Sequence, residues 1–526
     1  MRPRLFLWML GGLLLLVGLA LLPSLALAFA QGEDDLVAFA WSAGLAASLG
    51  LAGLYFGRAG RTLEINHREG MAIVTLAWLV VCGVGALPFY LYGRGVGRPA
   101  VPPGACAAVA HAPAGDGPVH HLGHEFCDFT DSYFEAVSGF TTTGATVVTA
   151  GLWPAPHRHV GLPHGLLLWR ALTQWLGGMG IILLSLAILP LLGVGGMQLY
   201  RAEVPGATKD KLSPRIAETA KRLWFVYVGL TLLLVLLTAS GGVDLYVATT
   251  HALTTLATGG FSVLALSVEG FGSAYLEYLT TAFMLLAGTS FSLHYLALRD
   301  GPGCYRRDGE LRVFLSLVLV AALVLGGALL AGGVVTGPET AFRQGLFQVA
   351  SLATTTGFSS TDFEGWIQAV PLAGVLVCLL LFVGGCAGST AGGMKTIRVI
   401  VAAKVGYREL LHLIHPRALF ALRVGARLVD TETRRAVLGF LMLYVLVFLA
   451  GTLALAAFGV DALSAATASA TAVGNVGPGL GGIGPYDNYH WLPAGAKWVL
   501  ILEMLAGRLE LYTVLVLFVP RFWTGR

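Results

Sequence analysis

The sequence predicts an all-α polytopic membrane protein, and three observations carry that prediction. Of the 526 residues 56% are hydrophobic and only 12% charged, against about 25% charged in soluble domains, and the mean hydropathy is +0.75. Apolar runs long enough to cross a bilayer recur along the whole chain. A short stretch rich in Thr, Ser and Ala runs into a glycine at four corresponding places: Gly139-Phe-Thr-Thr-Thr-Gly144, Thr254-Thr-Leu-Ala-Thr-Gly259, Ala353-Thr-Thr-Thr-Gly357 and Gly474-Asn-Val-Gly477.

The chain opens with Arg2 and Arg4 before an apolar run from Leu5 to Ala30. Its Ala26-Leu-Ala-Phe-Ala30 end resembles a signal cleavage site, but the run exceeds the 7–15 residues of a signal core and suits a spanning helix better. A second run covers 36–57, so residues 1–70 read as two extra N-terminal transmembrane helices. The remaining spans, near 71–93, 162–195, 222–240, 271–298, 311–334, 367–383, 432–459 and 494–519, fall into four pairs. They divide the chain into modules at 71–200, 201–300, 301–430 and 431–526. Between the members of each pair a shorter segment starts at an acidic residue (Asp131, Asp244, Glu339, Asp461) and runs into the glycine turn. An acid suits the first turn of a helix, and so short a stretch reads as re-entrant rather than spanning. Intervals of 115 residues from Gly144 to Gly259, 98 to Gly357 and 120 to Gly477 argue for repetition.

Charge placement orients the chain. Lys and Arg crowd the connections 201–222, 299–312 and 395–435, while 31–35, 94–127 and 479–492 hold almost none. By the positive-inside rule the basic connections and both termini are cytoplasmic. Cys106 and Cys127 then share an external segment where a disulfide is permitted. His111, His120, His121, His124, His157, His159 and His164 crowd the same side without the spacing of a defined metal site. Glu135 and His251 fall within re-entrant segments, where packing or cavity-lining roles fit them best.

Non-helical backbone at membrane depth needs a protein-lined polar cavity. Glycine lets each turn adopt φ > 0 so that carbonyls face a common axis, and the short helices aim their negative ends at it. The fold expected is therefore four helix–pore-helix–helix repeats around a pseudo-fourfold pore. Rings of backbone carbonyls replace the hydration shell of potassium, and no turn carries Asp or Glu. The expected lining is Thr142, Thr143 and Gly144; Ala257, Thr258 and Gly259; Thr355, Thr356 and Gly357; and Asn475, Val476 and Gly477. The fourth quarter departs, with Val476 before the glycine and Pro478 after it. The turns lack Thr-Val-Gly-Tyr-Gly, which predicts a short filter with weaker discrimination among monovalent cations. The plainer alternative is four Thr-rich turns in an ordinary helical bundle, where Ser, Thr and Gly commonly pack helices.

Further motifs are Trp175-Leu-Gly-Gly-Met-Gly-Ile181, Ala187-Ile-Leu-Pro-Leu-Leu-Gly-Val-Gly-Gly-Met197, Gly384-Gly-Cys-Ala-Gly-Ser-Thr-Ala-Gly-Gly-Met-Lys395 and Gly507-Arg-Leu-Glu-Leu-Tyr512. With the four turns, they make the chain resemble the TrkH branch of the TrkH/TrkG/KtrB superfamily of potassium uptake proteins. The resemblance implies potassium as substrate, no covalently bound cofactor, a homodimer in a bacterial cytoplasmic (inner) membrane, and a cytosolic nucleotide-binding TrkA-like regulatory ring. That ring would dock on the basic connections, whose plainer reading is ordinary positive-inside charge; no nucleic acid is implied. The chain itself has no P-loop or Rossmann fingerprint.

The resemblance also makes Gly384, Gly385, Gly388, Ser389, Thr390, Gly392 and Gly393 an intramembrane loop obstructing the path below the filter, with Lys395 at its cytoplasmic end. Arg508 becomes the basic residue that pairs with this loop. A cation at that depth costs about 3 kcal/mol or more unless it faces a cavity or partner, and a structural ion pair with Glu503 or Glu510 is the alternative. Two other functions stay open: strictly proton- or sodium-coupled symport on the same fold, and a membrane-embedded metalloenzyme using the external histidines.

Overall fold

The computed structural model describes residues 2–60, 67–97, 124–149, 162–187, 212–418, 420–424 and 427–524. The protein is mostly helical and membrane-like. Among the described residues six helices are long and apolar enough to cross a bilayer: Pro3–Gln31, Leu36–Gly60, Arg68–Gly93, Glu218–Ser240, Gly309–Ala331 and Thr431–Ala457. Helices α1 (Pro3–Gln31) and α2 (Leu36–Gly57) pair through glycine, since a Cβ on Gly53 would lie 2.8 Å from Gly11 Cα. Small residues let membrane helices approach this closely.

After α3 (His67–Gly93) comes the first short helix, α4 (Phe129–Phe140), then α5 (His164–Ala187). The order then repeats: α6 (Leu212–Ser240), short α7 (Leu245–Leu256), and α8 (Ala274–Ala287) with α9 (Phe291–Asp300). Next stand α10 (Gly309–Ala331), short α11 (Pro338–Ala353), and α12 (Pro371–Leu380) with α13 (Thr396–Ile414). Last come α14 (Thr431–Ala457), short α15 (Ala462–Gly474) and α16 (Ala494–Arg508). The four short helices have 12, 12, 16 and 13 residues, well under the roughly 20 a crossing requires. Most of their residues are buried among the longer helices.

The acids at the starts of the short helices divide into two roles. Asp244 caps α7 at Tyr246 N (2.8 Å) and Asp461 caps α15 at Ser464 N (3.0 Å), each satisfying a free N–H. The cap of α4 is Asp128 rather than Asp131. Asp131 instead pairs with Lys497 and lies 3.0 Å from His490 Nδ1, tying α4 to the fourth module. Glu339 stands in the first turn of α11 and pairs with Arg343 at 2.9 Å.

Two runs that read as unbroken spans are interrupted, and a third ends at the glycine-rich break the sequence predicts. The 271–298 run bends by 95° between α8 and α9. In the 367–383 run, α12 stops at Leu380 and the chain turns extended at Val383–Gly384. The 494–519 run leaves helix after Arg508, with Glu510 and Leu511 at φ 63° and 47°. A helix interior has no spare carbonyl, so breaking it releases backbone groups for other partners.

The 162–195 run is helical to Ala187, and 188–211 lies outside the described residues. Cys127 is disulfide-bonded; Cys106 lies outside the described residues, as do five of the seven histidines expected on the external side. Among the described residues no three His, Cys, Asp or Glu side chains gather as metal ligands.

Candidate functional site

Each short helix ends in the same backbone motif. Thr142, Thr258, Thr355 and Asn475 adopt φ of 53°, 52°, 54° and 53°, and two residues on Gly144, Gly260, Gly357 and Gly477 adopt 82°, 78°, 81° and 102°. The residue between donates back five positions: Thr143 N to Ser138 O (2.9 Å), Gly259 N to Thr254 O (2.9 Å), Thr356 N to Ser351 O (2.8 Å) and Val476 N to Thr471 O (2.9 Å). These are Schellman closures with Thr or Asn in the left-handed position normally given to glycine, at about 1–2 kcal/mol per residue.

The geometry corrects the register of the second turn. The partner of Gly144, Gly357 and Gly477 is Gly260, whereas Gly259 stands where Thr143, Thr356 and Val476 do. Ala257 is the cap of α7 and Thr258 the left-handed residue. Two adjacent glycines both accept φ > 0, so a Thr-Gly alignment had no means of choosing between them.

The turns close on one another in chain order. A Cβ on Gly144 would fall on the carbonyl oxygen of Gly259, one on Gly260 on that of Thr356, and one on Gly357 on that of Val476. A Cβ on Gly477 would lie 2.6 Å from Thr143 O, completing the cycle. The four glycines line a cavity of about 200 Å³, with Arg170, Asp487 and Tyr489 in its wall. Thr142, Thr143, Thr258, Thr355, Thr356, Asn475 and Val476 are all buried.

The first and third quarters of the ring resemble each other. Thr141 and Thr143 share a hydroxyl hydrogen bond of 2.7 Å, as do Thr354 and Thr356. In the second quarter Gln174 of α5 takes the vacated space, donating from Nε2 to Gly259 O (2.6 Å) and accepting from Phe261 N (3.1 Å). In the fourth, Asn475 Nδ2 donates to Thr143 Oγ1 (3.1 Å) and Met504 O (2.9 Å). Seven residues before each left-handed position stand Glu135, His251, Gln348 and Ala468. Glu135 accepts from Arg170 Nε (2.7 Å) and Val147 N (3.0 Å), and His251 Nε2 lies 3.0 Å from Ser262 Oγ. These two side chains brace the segment leaving each turn.

Beneath the ring lies the glycine stretch. Val383–Gly384 pairs in parallel with Met394–Lys395 and draws its ends together. Gly392 N donates to Thr355 Oγ1 at 2.6 Å, and a Cβ on Gly392 would strike Gly474 O. Thr390 Oγ1 faces Leu256 O (3.1 Å) and Ala287 O (3.2 Å). Gly385 leaves no room for a Cβ beside Gly288 O, which accepts from Cys386 N at 2.8 Å. Gly388 has φ 77° and Gly393 63°; Gly388 O takes Phe291 N at 3.1 Å. The stretch is thus sewn to the α8–α9 break. Ser389 Oγ turns back to Cys386 O (2.6 Å), and Lys395 Nζ donates to Ala391 O. Glu310 Oε1 accepts from Ala387 N (2.8 Å) and Ile397 N (3.1 Å), clamping both sides of the stretch.

Arg508 is buried and joins this stretch to the first module. Nη1 donates to Thr390 O at 2.8 Å and Nη2 to Gly177 O at 3.1 Å. The alternative ion pairs do not form: Glu503 accepts from Ser469 Oγ (2.7 Å), and Glu510 pairs with Arg398 (2.5 Å). Sequence reasoning missed Gly260, Gln174 and Glu310. For Gln174 the available signal was a glutamine inside an apolar run; Glu310 stands in the charged connection before the 311–334 run, where an acid draws no notice.

The sequence model of the family described as cation transport protein, TrkH, matches residues 119–524. The Trk system potassium uptake protein TrkH of Vibrio parahaemolyticus is 41% identical over 464 residues, 88% of this chain and 87% of its own. That of Halomonas elongata is 40% identical over 527 residues, 99% of this chain and 100% of its own. The crystal structure of the potassium transporter TrkH from Vibrio parahaemolyticus superposes with a TM-score of 0.84 at 35% identity, covering 99% of this chain and 100% of that one. With the family's model matching residues 119–524 and its fold matched across nearly the whole length, the chain belongs to the TrkH family of cation transport proteins.

Proposed function

We propose that the protein takes up potassium across the bacterial cytoplasmic membrane through the ring of four turns, as one pore of four helix–pore-helix–helix repeats. The cyclic closure of Gly144, Gly260, Gly357 and Gly477 on their neighbours' carbonyls carries this reading. Such a collar offers backbone oxygens to a cation shedding its water, and the names of the relatives point to the same ion. Gly259, Thr258 and Ala257 stay part of the collar, one register step from their first placement. The stretch Gly384–Gly393 obstructs the path below, and Arg508 holds it there with a positive charge that opposes cation passage. Lys395 marks its cytoplasmic end.

Basic residues in 299–312 and 395–435 support cytoplasmic termini and a docking face for a TrkA-like nucleotide-binding ring; a homodimer completes the assembly. No catalytic step is proposed. The test is rubidium uptake by the purified protein in vesicles, with and without its regulatory ring, at varied pH and sodium. Downhill uptake independent of proton and sodium gradients is expected. Strict dependence on either gradient makes the protein a symporter, and absence of uptake with the ring present overturns the reading.

A further inference from the structure

Three glycines in Trp175-Leu-Gly-Gly-Met-Gly-Ile181 have unequal reasons to be there. A Cβ on Gly177 would collide with Phe140 O, and one on Gly178 would lie 2.8 Å from the Tyr227 hydroxyl and 3.0 Å from Ala257 Cα. Packing therefore requires both. A Cβ on Gly180 would meet only Trp78, at 3.5 Å, an ordinary contact. Helix packing does not require this glycine, and in a helix interior it is less favourable than alanine.

Gly180 borders an apolar pocket of about 220 Å³, lined also by Leu13, Leu16, Trp78, Val81 and Trp224. The walls belong to α1, α3, α4, α5 and α6, and α1, α3 and α6 are long and apolar enough to cross a bilayer. Leu16 is 62% exposed, so the pocket opens on the face that meets lipid. One turn before Trp224 on α6, Lys221 is exposed, beside Arg222, which is exposed and paired with Glu218, on the side the basic connections mark as cytoplasmic. Cationic side chains there attract anionic headgroups. The inner wall includes Gly177, whose carbonyl holds Arg508.

We propose that this pocket binds one acyl chain of an anionic membrane phospholipid, and that the chain buttresses the turn of α5 whose Gly177 carbonyl anchors Arg508. Gly180 keeps the space open. The chain's effect on flux rests on the reading of Arg508 given above; its binding does not.

The binding arm uses phosphatidylglycerol brominated in mid-chain, which quenches tryptophan on contact. Comparison with Trp78→Phe isolates the Trp78 signal. That signal is quenched in the native protein and falls at least twofold in quenching in Gly180→Leu, which fills the pocket, but not in Gly180→Ala. Absence of Trp78 quenching, as when a second copy covers the pocket, or equal quenching in Gly180→Leu overturns the site. The second arm compares rubidium flux in dioleoyl and in methyl-branched diphytanoyl vesicles, whose chains are too bulky to enter. Flux of the native protein differs at least twofold between them and that of Gly180→Leu does not. Chain-independent flux in the native protein, with quenching intact, overturns the link to Arg508 and leaves the site standing.

Discussion

The ring and the stretch beneath it are built on opposite principles. The ring is made four times from backbone, with near-identical φ at every corner despite Thr, Asn and Val exchanging places within it. The lower stretch is made once, in the third module, and is held by individual groups: Glu310, Thr355, Thr390 and Arg508. Repetition of backbone tolerates side-chain change. A single asymmetric insertion does not, but it can be moved by altering one contact. On the function proposed above, ion choice belongs to the repeated part and control to the unrepeated one.

That contrast can be broken experimentally. The largest effect is expected from Gly144→Ser, which sets a Cβ on the Gly259 carbonyl at φ 82°. The potassium-over-sodium preference should fall at least tenfold in vesicle flux. Unchanged preference would mean that this turn does not select. Arg508→Ala removes two charged hydrogen bonds, each worth roughly 1.5–3 kcal/mol, from Thr390 O and Gly177 O. Flux should rise about tenfold with selectivity intact; loss of flux in a folded protein would sink the gating role. Gln174→Leu abandons the Gly259 carbonyl and the Phe261 N–H. It should lower the rubidium-to-sodium ratio several-fold without raising total flux, and a rise in flux alone would reassign Gln174 to control.

The smallest effect lies outside both regions. Burial first, and then the charge of Glu33, push the Asp35 carboxyl up to about 7. The folded state thus holds a proton that the unfolded chain has released, and stability falls as pH rises from the ordinary carboxylate range to about 7. Asp35→Asn should flatten that slope in thermal unfolding while leaving flux unchanged. An unaltered slope would show that another group is responsible.

The spans, the four turns and Arg508 were legible because each is local: apolar length, Thr beside Gly, a cation inside an apolar run. What was not legible depended on partners remote in sequence. Arg508 finds carbonyls 118 and 331 residues away, and no spacing rule encodes that. The second turn was misaligned by one residue because Gly259 and Gly260 are chemically equivalent in sequence and only the ring's closure separates them. The breaks at Gly288 and Leu509 were hidden because glycine inside an apolar run is equally compatible with an unbroken membrane helix.

The closure of the ring also has a direction. Each glycine leans on the carbonyl of the following quarter, and the fourth leans on the first. Damage at one corner is therefore received by a particular neighbour rather than shared evenly. Compensating changes for a lesion at Gly357 should gather around Val476, and those for Gly477 around Thr143, so that a screen for second-site revertants would trace the ring in one rotational sense.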